Sequence, residues 1–139
     1  MGVRISERAV SRIVAGAAAS VPGTTELARS LAGRTYPRYD VIVDDAAGTC
    51  SVEAFIAVVW PSPVTAVAES VRRTITHWVT DMTGLTVTHV NVVVGPVVPD
   101  VPVTATAVAA HPTRPRLRPV ATPPPPRLRP VTVRSHRDR

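Results

Sequence analysis

Little in this chain can form a covalent staple. Cys50 is the only cysteine among 139 residues, which excludes an intrachain disulfide and a cysteine-based zinc site within one chain. A reducing cytoplasm suits that composition. Aromatic residues make up only 4%, so a core has to be built from valine, isoleucine and alanine. Lysine is missing altogether. All sixteen basic residues are arginine, a uniformity that fits GC-rich coding rather than a recognition code. No uninterrupted apolar run approaches the roughly 20 residues that span a bilayer. The N-terminus carries Arg4, Glu7, Arg8 and Arg12 with no hydrophobic segment of the signal-peptide kind. No glycine-rich phosphate loop, nucleophile elbow, HExxH or paired-carboxylate motif is found. The sequence therefore predicts a protein that is not an enzyme and holds no cofactor and no metal.

What is present falls into two parts. Residues 1–95 hold eight arginines and eight acids, which balance. Residues 96–139 hold eight arginines against Asp100 and Asp138, so the whole net charge of +6 lies there. Eleven of the fifteen prolines lie there too, including Pro123 to Pro126. Arg116-Leu117-Arg118-Pro119-Val120 recurs as Arg127-Leu128-Arg129-Pro130-Val131. Proline donates no backbone hydrogen bond, and an arginine-rich chain buries too little apolar surface to offset ordering entropy. The expectation is a folded domain over 1–95 and a disordered basic Pro/Arg-rich tail over 96–139, with polyproline character. The run from Pro96 through Pro99 to Pro102 reads as a spacer or a polyproline ligand.

Periodicity assigns the folded part. Ser6 can cap a first helix whose stripe is Val10, Ile13, Val14, Ala17, Ala18 and Val21, with Ile5 and Val10 as a staple and Pro22-Gly23 as the stop. Thr24–Ala32 reads as a short helix. Tyr39–Asp44 and Cys50–Trp60 read as a hairpin across the turn Asp44-Asp45-Ala46-Ala47-Gly48-Thr49. Val52, Ala54, Ile56, Val58 and Trp60 share one face of its second strand. A long helix follows between Pro63 and Gly84, with Val64, Val67, Ala68, Val71, Ile75, Trp78, Val79 and Met82 at helical spacing. Glu69 and Arg73 make an i,i+4 pair on its wet side. In the last strand Thr86, Thr88, Val90, Val92 and Val94 face one way, and Val87, His89, Asn91 and Val93 the other. The order αββαβ implies an α+β fold: a three-stranded sheet with two helices on one face.

Few residues invite a chemical reading. His77 has Asp81 one helical turn on, which is either an oriented general base or a helix-surface pair, and no nucleophile stands beside it. His89 lacks a second ligand at metal spacing. Asp44-Asp45 are turn residues. Arg4, Arg8 and Arg12, at i, i+4 and i+8, form a stripe that is either a phosphate or lipid contact or a solvated face. The element order is shared with RNA-binding modules of the KH kind, but there is no GxxG loop and few aromatics to stack bases.

The segments Ile5-Ser6 to Val21-Pro22-Gly23, Gly33-Arg34, Val52–Trp60 with Pro61, Val71-Arg72, Thr83-Gly84-Leu85 and Val90-Asn91-Val92 resemble, in order and spacing, those of the alkaline shock protein family. These are bacterial cell-envelope stress-response proteins. The arginine- and alanine-rich composition resembles the actinobacterial type. The resemblance covers residues 3–95 and not the tail, and it carries over no catalytic residue. It implies a cytoplasmic, peripherally membrane-associated scaffold that meets the membrane through a membrane-anchored partner protein and associates with itself. Arg72, Arg73 and His77 on the wet side of the long helix, together with the Arg4/Arg8/Arg12 stripe, are the expected partner or lipid contacts. Arg116, Arg118, Arg127 and Arg129 would add charge-driven contact with anionic lipid. The alternative is a nucleic-acid-binding module that uses the basic tail and the arginine stripe.

Overall fold

The computed structural model describes residues 5–28 and 33–115. Its elements are α1 (Glu7–Ser20), β1 (Thr24–Thr25), β2 (Arg38–Asp44), β3 (Thr49–Trp60), α2 (Val64–Thr83), β4 (Thr86–Pro99) and α3 (Ala105–Ala110). The α+β architecture and the αββαβ core order are those expected.

Local chemistry sets the element ends. Ser6 Oγ accepts from the Ala9 amide at 3.1 Å and so satisfies one of the four donors that a helix start leaves free. At the other end of α2, Gly84 adopts the left-handed conformation (φ 75°), and its amide reaches Thr80 O at 2.9 Å. The β2–β3 turn is tied by Asp44 Oδ1, which accepts from the Ala47 amide at 3.1 Å. The two acids there are turn residues, as read from the sequence.

β3 is the centre of the sheet. It pairs antiparallel with β2 over Asp44↔Thr49 to Arg38↔Phe55, and parallel with β4 over Thr49↔Thr86 to Trp60↔Pro99. A parallel pair needs a crossover of a dozen or more residues, and α2 supplies it. The sheet has a fourth strand that the sequence reading missed. Thr24 and Thr25 pair with Val58 and Ala57, and Leu27 bridges to Tyr36. The expected helix from Thr24 is therefore not formed over 24–28; residues 29–32 lie outside the described part. Thr24 Oγ1 donates to Val21 O at 2.9 Å, so the hydroxyl is drawn back to the end of α1 while the backbone joins β3.

α1 and α2 cover one face of the sheet. Val10, Val14, Ala17 and Ala18 of α1 meet Val67, Val71, Ile75 and Val79 of α2 over Cys50, Val52, Ala54, Ile56 and Val58 of β3. Each fully buried valine of this kind contributes about 1.5–3 kcal/mol relative to exposure. The stripe of α2 differs in detail from the periodic reading. Ser70 and Thr74 are buried, and Thr74 Oγ1 satisfies itself on Ser70 O at 2.6 Å. Met82 is exposed instead, at 46%, and Trp60, expected on the core face of β3, is 56% exposed. The facing of β4 also differs. A register shift beside Cys50 and Ser51 pairs Cys50 with Val87 but Ser51 with His89. Val87 therefore packs against the core with Val90, Val92 and Val94. One inserted residue reverses the alternation.

The folded unit does not stop at Gly95. β4 runs on to Pro99, and residues 100–115 fold back over the helices. The reason is apolar anchoring: Val108 of α3 is 5% exposed and joins the core. The tail reading for residues 116–139 lies outside the described part.

Candidate functional site

The helical side carries the expected contact residues. Arg8 and Arg12 are exposed on α1 and line one shallow groove with Ser6, Ala9 and Ile13. Arg72 belongs to a different groove, between α2 and β4, with Glu69, Val90 and Asn91. The ion pair on α2 is Glu69–Arg72 at 2.8 Å, an i,i+3 pair in place of the expected Glu69–Arg73. The hydrogen bond from Arg72, and then its charge, hold the Glu69 carboxyl below the usual carboxylate range, with Arg73 adding a weaker pull. Arg73 is exposed. Arg4, Arg116, Arg118, Arg127 and Arg129 lie outside the described residues. Arg8 and Arg12 thus line one groove and Arg72 another.

His77 is engaged by the returning chain. Its Nδ1 lies 2.8 Å from Thr113 Oγ1, and Asp81 pairs with Arg114 at 3.2 Å. The expected His77–Asp81 partnership is replaced by two contacts to the returning chain, so each side chain that suggested a base is used to seat residues 111–115 on α2. A third contact ties the same segment to α1, where Ser20 Oγ gives its proton to Ala17 O at 2.7 Å and accepts from His111 Nε2 at 3.2 Å. Upstream, the Asp100 and Val103 amides donate to Trp60 O and Pro61 O, and Thr104 caps α3. Residues 100–115 form a strap across the helical layer. Beneath it, Trp78, Met82 and Ser20 leave a groove of about 260 Å³.

Among the described residues, no helix covers the opposite face of the sheet. Its centre is a stack: the Arg38 guanidinium lies 4.7 Å from the centroid of the Phe55 ring and 5.5 Å from that of Tyr36. Tyr36 in turn covers Gly95, where an added Cβ would stand 2.8 Å from Tyr36 Cε1. Arg38 Nε is shielded from water with no hydrogen-bond partner. One pair further along the hairpin, Asp40 stands directly across from Glu53, and neither forms an ion pair among the described residues. Ile42 is 67% exposed on the same face and Val93 38%. Sequence reasoning missed this cluster because Tyr36, Arg38 and Phe55 meet only through the hairpin register. The detectable signal was the alternation Arg38, Asp40, Ile42 against Phe55, Glu53, Ser51.

One small cavity, about 150 Å³, lies between the end of α1, β1 and β2 and includes Glu26 and Tyr39. Burial, reinforced by the Glu26 charge, pushes the Tyr39 hydroxyl up to about 12, so it stays protonated near neutrality. Cys50 is buried, and burial pushes its thiol up. Among the described residues, no group of three His, Cys, Asp or Glu side chains is placed to hold a metal ion.

Residues 1–99 match the alkaline shock protein family, which is described as having a cell envelope-related function. The chain belongs to the alkaline shock protein family. No curated protein and no solved structure matches it. The family match ends at Pro99, the last residue of β4, so it takes in α1 through β4 and leaves out the strap. Among the described residues of this alkaline shock family member, no helix is long and apolar enough to cross a membrane.

Proposed function

We propose that this protein is a non-enzymatic scaffold of the cell-envelope stress response, held at the membrane by a membrane-anchored partner protein. The family match over residues 1–99 carries this reading. The arrangement of side chains agrees with it. The one His/Asp pair that resembled a catalytic element seats the strap, and burial raises the pKa of both the half-buried Tyr39 and the buried Cys50. In this reading the protein is cytoplasmic and peripherally membrane-associated. Arg8 and Arg12, Arg72 and Arg73 supply contacts to the partner from the helical side. The strap holds Thr113 on that same side, and the arginines of the basic segment beyond Pro115 add attraction to anionic lipid of about 1 kcal/mol each near the surface.

The test separates partner from lipid. Membranes from cells producing the full chain are pelleted at low and at high salt, alongside a full-length variant with Arg116, Arg118, Arg127 and Arg129 changed to Gln. A protein partner predicts that both chains pellet and stay bound at high salt, where lipid attraction is screened. Release of the wild-type chain by salt, or by the four substitutions, would assign binding to lipid alone. A chain that never pellets would end the membrane reading.

A further inference from the structure

We infer that the open edge of β4 takes an extended segment of another protein as an added strand, with carboxylates set among β-branched residues. Nothing in this depends on the membrane reading. The sheet has an edge on each side of β3, and the two are built differently. On one side β2 is seven residues long, with Arg38, Asp40 and Asp44 among them. Its Val43 amide is already occupied, because Glu7 Oε1 accepts from it at 3.3 Å. Short length, charge and a side chain laid against the backbone all keep a sheet edge from pairing.

On the other side β4 has none of these devices over ten residues. It pairs with β3 alone among the described residues. A strand with one neighbour leaves alternate N–H and C=O groups unpaired along its outer side. Thr86–Gly95 contains no Asp, Glu, Arg or Pro, and seven of its ten residues are valine or threonine, the types that favour strand pairing. Pro96 and Pro99 blunt only the last part of the strand, since proline has no N–H to offer. His89, Asn91 and Val93 are exposed along the open part.

The groove beside this edge says what kind of segment fits. It measures about 210 Å³ and lies between Val90–Val92 of β4 and Thr65, Ala68, Glu69 and Arg72 of α2. Successive side chains of an added strand point to opposite faces, so every second one enters the groove. Main-chain bonds to β4 then supply affinity, and the groove selects alternate side chains. The small side chains of Thr65 and Ala68 leave room for a β-branched residue. The rim sets the charge. Glu69 and Arg72 are both half-exposed in their 2.8 Å pair, so Arg72 can trade Glu69 for an incoming carboxylate at little cost. Arg73 is exposed beside them and forms no ion pair among the described residues. Two arginines against one glutamate attract an acidic segment.

The same rim disfavours two other occupants. The chain beyond Pro115 is rich in arginine and proline, so it is repelled there and is poor in backbone donors. A second copy would bring its own surplus of arginine to the groove.

The experiment uses the purified full chain, without membrane, and a fluorescent nine-residue synthetic peptide that alternates valine with threonine or glutamate. Anisotropy should show saturable binding below about 1 mM. The same peptide with lysine for glutamate should bind about tenfold more weakly, and one with three central prolines should not bind. Arg72→Glu with Arg73→Glu, at exposed positions, should reverse the preference between glutamate and lysine, with circular dichroism confirming the fold. Amide hydrogen exchange locates the contact: the glutamate peptide should slow exchange over Thr86–Gly95 about tenfold and leave Arg38–Asp44 unchanged. No binding of that peptide at about 1 mM would overturn the inference. So would a charge preference that the double variant leaves unchanged, or slowing that misses β4. Exchange over Thr86–Gly95 that is already slow in the free chain would overturn it too. If that slowing grew with protein concentration, the edge would belong to a second copy; if it did not, to the chain's own basic segment.

Discussion

Gly23 is the position where a single methyl group should do most damage. It follows α1 in a left-handed conformation, φ 98°, which costs a residue with a side chain about 1–2 kcal/mol. An added Cβ would also lie 2.7 Å from Val67 Cγ2, far inside van der Waals contact. Neither side can yield easily. Gly23 O accepts from the Val59 amide at 2.8 Å and so is fixed to β3. Val67 is fully buried on α2, where a β-branched side chain has one favoured rotamer. Overpacking of this kind costs about 1–3 kcal/mol. Gly23→Ala should therefore destabilise the protein by about 2–5 kcal/mol, a large share of the roughly 5–15 kcal/mol typical of a domain. At about 4–8 °C per kcal/mol, a central loss of about 3 kcal/mol lowers Tm by about 12–24 °C. Gly84→Ala is the control: φ is 75°, but nothing lies within 4 Å of the new methyl, so it should lose about 1–2 kcal/mol. Urea unfolding of the three proteins supplies the comparison. A Gly23→Ala variant no less stable than Gly84→Ala would show that the Val67 contact is relieved at no cost. The reasoning would then fail.

Two further outcomes concern the strap. Its hold should come from Val108 rather than from its ion pair: Val108→Ala removes buried surface worth about 1–3 kcal/mol, whereas Arg114, 69% exposed in its pair with Asp81, is worth at most about 1 kcal/mol. Hydrogen exchange over residues 105–115 should accelerate strongly in Val108→Ala and little in Arg114→Ala; equal acceleration would contradict this. The strap should also loosen in acid. Burial lowers the His111 pKa below its ordinary value, so the unfolded or undocked chain takes the proton first. Stability is then full above the ordinary histidine value near 6.5 and falls as pH drops through the folded pKa. Amide exchange of the strap from neutral to mildly acidic pH should follow that curve, and His111→Gln should flatten it.

Much of the fold was legible because it rests on local rules. The Ser6 cap, the Gly84 stop and the hydrophobic period of α1 and α2 are each set within one or two turns of chain, where side chain and backbone meet without help. The errors arose where a distant strand decided. Thr24 and Thr25 are β-branched but too short a run to read as a strand, and they become β1 only because the β3 edge at Ala57 and Val58 is open to them. The shift beside Thr88 turns Val87 inward, and periodicity alone cannot reveal an inserted residue. The candidate surfaces divide in the same way. Arg8, Arg12, Arg72 and Arg73 were found by helical spacing, but the use of His77 and Asp81 by the strap depends on a chain that returns 36 and 33 residues later.

By itself the sequence determined the class of this protein. Balanced charge over residues 1–95, valine-rich periodic stripes and the ordered segments of the alkaline shock family point to a small α+β domain, and each signal is local or additive along the chain. Only the tertiary structure decided which surfaces that domain presents. The face built on Tyr36, Arg38 and Phe55 and the strap from Asp100 to Pro115 both require strand register and core packing to bring together residues far apart in sequence. Contacts of that kind leave no period in a sequence, because their spacing is set by the fold rather than by the repeat of a helix or a strand.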